Sequence, residues 1–267
     1  MKSMFRYPGS KAKLLAIIME HLDPLLKKDN HFIDLFVGGG SVLLDVAERY
    51  PKHLLYANDK DYWMYCFWKI VSGEDLNNFN KLLILMEAKP TLDLFHELRN
   101  LKTEDEVVSA YKAIFFNRTC FSGILSAGPI GGESQSSKYT IDCRYNANKL
   151  QKKILECRKL LVGRTKITNN DFSEYQELIQ TNHTLYADPP YFVKGSMLYP
   201  EKMVDEDHEK LSSILLGRQN WVLSYDDCPK INNLYKNCKI IDLAARYCIK
   251  GIKKNWENKN ELLILPN

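Results

Sequence analysis

One stretch near the amino terminus restricts this chain most. The apolar run His31 to Val37 enters Gly38-Gly39-Gly40-Ser41, and the residues that follow put Val42, Leu43, Val46 and Ala47 on one face of a helix. A second apolar run, His53 to Ala57, ends at Asn58-Asp59. Strand, glycine turn, helix and strand make a βαβ unit of the Rossmann type, which commits the chain to a largely parallel α/β sheet. Later runs supply its other strands: Lys166-Ile167-Thr168, Thr184 to Ala187, Trp221 to Ser224, Lys239 to Leu243 and Glu261 to Leu265. Ligands of such sheets sit beyond the carboxyl ends of the strands. Gly38 to Gly40, Asp59, Asp171 and Asp188 are therefore expected to share one cleft.

Between the strands lies a mainly helical stretch, from about Tyr62 to Leu160. Leu76, Phe79, Leu82, Leu83 and Met86 have helical spacing, as do Leu94, Phe95, Leu98 and Leu101, then Val107, Val108, Tyr111, Ile114 and Phe115. Another helix is expected from Asn146 to Leu161. The stretch is too long for a simple crossover, so it reads as a second domain, 62–160, inserted into a first formed by 1–61 and 161–267. Thr119 to Thr140 is rich in Gly and Ser and holds Gly128-Pro129-Ile130-Gly131-Gly132. It reads as a long functional loop that orders on binding.

Composition narrows the class. The chain has 267 residues, 45% apolar and 26% charged, enough to bury a core. No apolar run reaches a membrane span and the first residues lack a signal-peptide pattern, so a cytoplasmic protein is expected. Its seven cysteines include no Cys-x-x-Cys pair or zinc spacing, and read as reduced thiols, most of them buried. The net charge of +4 is compatible with a nucleic-acid partner. Two basic clusters, Lys149/Lys152/Lys153/Arg158/Lys159/Arg164/Lys166 and Lys250/Lys253/Lys254/Lys259, are either solvated faces or phosphate contacts.

Individual residues sharpen the chemistry. Asp59 ends the second strand, where a carboxylate can accept from both hydroxyls of a ribose. Asp34 precedes the glycines, where a pyrophosphate would be repelled but an ammonium group welcomed; that favours S-adenosylmethionine over a dinucleotide. Asp34 as a helix cap or lysine partner is the competing reading. In Arg6-Tyr7-Pro8-Gly9-Ser10-Lys11, Lys11 is a candidate for the cofactor carboxylate and Tyr7 for packing on an adenine. Asp171 and the Phe172 N–H can meet the cofactor adenine, and Asp171 can equally cap a helix from Phe172 to Leu178.

Asp188-Pro189-Pro190-Tyr191 is the most specific feature. An exocyclic amine of a nucleobase is a poor nucleophile because its lone pair is delocalised into the ring. Asp188 can accept one N–H and favour the developing positive charge. The prolines fix a backbone carbonyl that accepts the other, and Tyr191 can stack on the base. A base within a duplex reaches such a turn only when flipped out. No metal is required and none is expected.

In this order, Arg6 to Lys11, Asp34 to Ser41, Asn58-Asp59, Asn117-Arg118-Thr119-Cys120-Phe121-Ser122-Gly123, Asn170-Asp171-Phe172 and Asp188 to Tyr191, the chain resembles the Dam-like (D12 class) adenine-specific DNA methyltransferases. The resemblance implies a Rossmann-like S-adenosylmethionine-dependent sheet with an inserted, mainly helical target-recognition domain. It implies a cofactor set of Tyr7, Gly9, Lys11, Asp34, Phe36, Gly38, Gly40, Ser41, Asp59, Asp171, Phe172 and Asp188. Asp188, Pro189, Pro190 and Tyr191 would hold the adenine. S-adenosylmethionine would leave as S-adenosylhomocysteine. The DNA-binding candidates are Arg118, Phe121, Ser122, Ser126, Lys138, Arg144 and Asn146. Family members that read GATC carry Asn-Gly-Leu-x-Arg, whose Arg reads guanine. Here Ser122-Gly123-Ile124-Leu125-Ser126 stands in its place, and Ser126 cannot contact guanine O6 and N7 together. A target other than GATC is expected.

The partners expected are double-stranded DNA and, in a restriction–modification pair, a cognate endonuclease. A monomer or weak dimer associated with the nucleoid is expected. Two other readings stand beside this one. Methylation of cytosine N4 is disfavoured because those enzymes usually begin the tetrapeptide with Ser, and a non-catalytic DNA-binding relic because the polar site residues are all present.

Overall fold

The computed structural model describes residues 3–6, 11–174, 181–192, 203–243 and 261–267. Tyr7, Gly9, the Lys250 to Lys259 cluster and the expected helix beyond Glu174 lie outside the described residues.

Seven strands form one sheet: β1 (His31–Asp34), β2 (Leu54–Asn58), β3 (Thr165–Thr168), β4 (Thr184–Ala187), β5 (Trp221–Asp226), β6 (Lys239–Asp242) and β7 (Glu261–Leu265). Their order is β3-β2-β1-β4-β5-β7-β6. β1 pairs in parallel with β2 and β4, and β4 in parallel with β5. β7 runs antiparallel between β5 and β6. The order reverses beside β1, between β2 and β4, so the crevice of the sheet opens there. Antiparallel pairing has a second effect: it sets Glu261, the first residue of β7, opposite Asp226, the last of β5. A residue from the far end of the chain thus reaches the same edge as Asp34 and Asp188.

Side chains alternate across the sheet, as a period of two requires. Phe32, Tyr186, Val222 and Leu263 face one apolar cluster, and Ile33, Leu185, Leu223 and Ile264 face the other. Nine helices flank the sheet among the described residues. α1 (Leu15–Leu26), α2 (Ser41–Arg49), α3 (Tyr62–Ser72), α4 (Leu76–Leu85), α5 (Leu92–Asn100), α6 (Glu106–Thr119) and α7 (Ala147–Leu161) contribute to the first cluster, and α8 (Asp205–Leu216) and α9 (Pro229–Leu234) to the second. The helices between β2 and β3 therefore share one core with α1, α2 and the sheet.

Helix starts follow from capping. Asp61, Asp75, Thr91, Asp105 and Asn146 each accept from backbone N–H groups of the first turn of α3, α4, α5, α6 and α7. α6 departs from the one-faced pattern read in the sequence. It is buried on every side, including Ser109, Lys112, Asn117 and Thr119. Lys112 is accommodated because its ammonium donates to the Leu101 carbonyl (2.7 Å) and lies 4.7 Å from the Trp63 ring centroid.

Two expectations are corrected. The basic cluster on α7 is not one free face. Arg158 is buried, donates to the Gly73 carbonyl (2.6 Å) and lies over the Phe79 ring, while Arg164 donates to the Tyr50 and His53 carbonyls. These cations serve orphan carbonyls of the core rather than phosphate. The loop after α6 also has internal structure of its own. The Gln135 amide donates to the Ile130 and Gly132 carbonyls and its oxygen accepts from Ile141 N–H, while Thr119 and Phe121 bridge to Ile130 and Gly128. Gly and Ser supply the turns, and one glutamine side chain ties them together.

Candidate active site

The cleft is built at the carboxyl ends of β1, β2 and β4. β1 ends at Asp34, which is buried and paired in register with Ala57 of β2 and Tyr186 of β4. Burial, and then the carboxylates of Asp188 and Asp59, push its pKa up to about 8. Its Oδ1 is buried with no hydrogen-bond partner. A buried carboxylate oxygen in that state calls for a cation or a donor from a ligand. Backbone N–H groups of Phe36 and of Leu43, in the first turn of α2, also reach the Asp34 carboxylate, so the helix-cap reading holds beside the ligand reading.

The glycine turn follows directly. Gly38 N–H donates to Asp59 Oδ2 (2.8 Å), and the Gly38 carbonyl accepts from the Trp68 indole (2.8 Å). Gly40 has φ +67°, and a Cβ there would meet the Trp68 ring at 2.3 Å. Only glycine fits both the left-handed backbone and this contact. Ser41 then opens α2. Asp59 also accepts from Asp61 N–H (3.0 Å), so its carboxylate fixes the turn on both sides.

Asn58 was overlooked by the sequence reading, beyond its place in the motif. It is buried; its Oδ1 accepts from Thr168 Oγ1 (2.8 Å) and Asn170 N–H (3.0 Å), and its Nδ2 donates to the Asn170 carbonyl (3.0 Å). It thereby locks the end of β2 to the turn that carries Asp171 and Phe172. Asp171 accepts from Ser173 N–H and Oγ and from Lys60 (3.1 Å). Burial pushes its pKa upward, but Ser173 and Lys60 outweigh that and hold it below the ordinary value. Asp171 thus caps the short helical turn Phe172–Glu174. Phe172 is buried, with its ring 5.7 Å from that of Phe36.

The Asp-Pro-Pro-Tyr turn leaves β4 beside Asp34. Asp188 is paired with Lys11 Nζ at 2.6 Å, and the same ammonium is 3.2 Å from Glu261. Burial raises the Asp188 pKa to about 6; Lys11 pulls it down and Glu261 pushes it up. The Tyr191 hydroxyl donates to Glu261, and Lys11 lies 4.9 Å from the Tyr191 ring centroid. Tyr191 stacks on Tyr225, with ring centroids 6.3 Å apart. The Phe192 N–H donates to Asp226 (3.1 Å), which anchors the turn to the end of β5. Lys11, expected at a cofactor carboxylate, therefore sits in the catalytic half of the cleft. Glu261 had no sequence signal, because the antiparallel turn of β7 brings it here.

The DNA-side candidates separate. Phe121, Ser122, Ser126, Lys138, Arg144 and Asn146 are exposed. Ser122 holds a left-handed φ of +55°. Asn146 also caps α7 through Lys149 N–H. Arg118 is not with them: its guanidinium turns inward to the Met4 carbonyl (2.5 Å), and burial, then Arg6, lowers its pKa to about 10. Asn117 is a further residue whose role the sequence reading missed. It accepts from Arg6 N–H (2.8 Å) and donates to the Arg6 and Gly123 carbonyls. It holds residues 3–6 against the loop that carries Phe121.

Comparison with known proteins agrees with this geometry. The sequence matches the family described as D12 class N6 adenine-specific DNA methyltransferase over residues 7–249. It is similar to the Type II methyltransferase M.MjaIII of Methanocaldococcus jannaschii, 26% identical over 211 residues, covering 71% of this chain and 69% of that protein. It is also similar to the Retron Ec67 DNA adenine methylase of Escherichia coli, 20% identical over 252 residues, covering 89% of this chain and 81% of that protein. The strand order, the glycine turn against Asp59 and the Asp-Pro-Pro-Tyr turn beside Asp34 thus have their explanation: the chain belongs to the D12 class N6 adenine-specific DNA methyltransferases.

Proposed function

We propose that the cleft transfers a methyl group from S-adenosylmethionine to N6 of an adenine flipped out of duplex DNA, using the residues assembled at the ends of β1 and β4. The observation that carries this reading is the meeting of Asp34, with its partnerless buried oxygen, and the Asp188 to Tyr191 turn. When bound, the cofactor supplies a methyl group already activated on a sulfonium.

The protein's own groups do the rest. Asp34 would accept from the cofactor ammonium, and Asp59 would accept from the ribose hydroxyls. Asp171 and Phe172 would face the cofactor adenine, beside Phe36. Gly38, Gly40 and Ser41 would let the backbone approach closely. Asp188 accepts one N–H of the target amine and the Pro189 carbonyl the other, which turns the nitrogen lone pair toward the methyl group. Asp188 also stabilises the positive charge that grows on that nitrogen. Tyr191, held by Glu261 and Tyr225, stacks on the base. Lys11 keeps Asp188 ionised near neutral pH.

Residues 62–160 would form the target-recognition part, with Phe121, Ser122, Ser126, Lys138, Arg144 and Asn146 toward DNA and Arg118 behind them as a support. A cognate endonuclease is an expected partner by analogy with the Type II relative. Tritiated S-adenosylmethionine should label duplex DNA, and nucleoside digestion should return the label as N6-methyladenine. Asp188→Ala should lower transfer by at least about a thousandfold while cofactor binding persists. Transfer near the wild-type rate in that variant, or label in cytosine, would refute the assignment.

A further inference from the structure

A second group of convergent side chains lies at the opposite, amino-terminal edge of the sheet. Asp29 precedes β1, His31 is its first residue, and His183 directly precedes β4. β1 and β4 are parallel neighbours, with Phe32 opposite Thr184, so residues far apart in sequence meet at one edge. Asp29 spans the two strands. Its Oδ1 accepts from His31 N–H (3.1 Å) and its Oδ2 from Thr184 N–H (2.8 Å). The imidazoles of His31 and His183 stack with centroids 4.0 Å apart and planes 19° apart. His31 Nδ1 is 3.3 Å from Asp29 Oδ1, and His183 Nδ1 is 3.3 Å from Asp29 Oδ2. The ligand atoms of the three residues all lie within 4.8 Å of one another.

Those distances discriminate between two arrangements. A hydrogen bond from a ring N–H to a carboxylate is normally about 2.7–2.9 Å. Two donors bound tetrahedrally to a zinc-sized cation, each about 2.1 Å from it, are about 3.4 Å apart. Each nitrogen–oxygen separation is closer to the second figure, with one carboxylate oxygen of Asp29 facing each ring. Neutral imidazole is the form that binds metal. The three side chains are 18–25% exposed, which leaves an ion and a completing water a path from solvent.

We propose that Asp29, His31 and His183 form a binding site for a late first-row divalent cation of the Zn²⁺ type, which staples the amino ends of β1 and β4. Two nitrogens and a carboxylate suit this class of ion over Mg²⁺ or Ca²⁺. Arg218 donates to the His183 carbonyl (2.6 Å), and its charge interacts with Asp29. That cation offsets part of the attraction, so micromolar affinity is expected. The site is at the other end of the strands from Asp34 and Asp188, so its role is in stability and methyl transfer does not need it.

The test uses the full chain, dialysed against chelator and titrated with Zn²⁺ and Co²⁺. One Zn²⁺ should bind per chain and raise the melting temperature. Co²⁺ should give the intense visible absorption of a four-coordinate ion. His31→Ala and His183→Ala leave the Asp29 cap in place; each should weaken binding by at least about tenfold, remove the Co²⁺ bands and leave metal-free methyl transfer unchanged. Zn²⁺ binding that is equal in the wild type and in both variants, or only the weak spectrum of six-coordinate Co²⁺ in the wild type, would overturn the proposal. The Co²⁺ spectrum of the wild type decides the matter even if a variant fails to fold.

Discussion

Two carboxylates, Asp34 and Asp188, sit in one cleft under different constraints. Asp188 must be ionised to accept from an amine, and its pKa is raised to about 6 with Lys11 holding it down. The rate of transfer should therefore fall about tenfold per pH unit below about 6 and level off above it. In Lys11→Met the acid limb should move toward neutral pH, which a kcat/KM profile will show. Asp34 carries a pKa of about 8 without an ammonium partner. A carboxyl raised in the folded state stabilises only while protonated. Its contribution is complete below about pH 4 and is lost as pH rises through about 8. Asp34→Asn should thus melt higher than the wild type at pH 8–9 without cofactor. It should bind S-adenosylmethionine about 10–100-fold more weakly, the loss of one charge-assisted hydrogen bond. Cofactor binding to the wild type at pH 7 should release a proton, read from calorimetry in buffers of different ionisation enthalpy.

Among the elements, the turn between β1 and α2 is the most constrained. Trp68 on α3 fills the space over Gly40 and bonds the Gly38 carbonyl, so the glycine turn and the start of the helical stretch are packed as one piece. Gly40→Ala should cost about 2–5 kcal/mol, from the left-handed backbone and from overpacking against the indole. Chemical denaturation measures that loss, and cofactor affinity should fall with it. The turn was legible in the sequence because glycine spacing is local. Its lid was not, since Trp68 lies on the next helix but one and only packing brings it there. The apolar run that predicts a strand extends from His31 to Val37, yet the strand ends at Asp34. Leu35 and Val37 still bond to Tyr186 and Asn58 across the sheet edge, so the apolar pattern outlasts the regular ladder.

For the whole molecule, the shared core is the decisive feature. α3 to α7 bury their apolar faces in the same cluster as α1, α2, β1 and β2. A segment that lends its face to a common core has little left to bury alone. The chain should therefore unfold in a single transition by calorimetry, and a fragment of residues 62–160 should show no cooperative melt. Two separate transitions, or a folded fragment, would show that the recognition part stands on its own.

The sequence by itself determined the sheet, the glycine turn, the catalytic tetrapeptide and the helical stretch between β2 and β3. These follow from short-range pattern: alternation, helical spacing, caps and turn residues a few positions apart. Tertiary structure alone decided that Lys11 and Glu261 flank Asp188, that Asn58 and Asn117 lock distant turns, that Arg118 and Arg158 face inward, and that Asp29, His31 and His183 meet. Each of those contacts joins residues whose separation along the chain carries no periodic signal, and each depends on strand order and register, which long-range packing fixes.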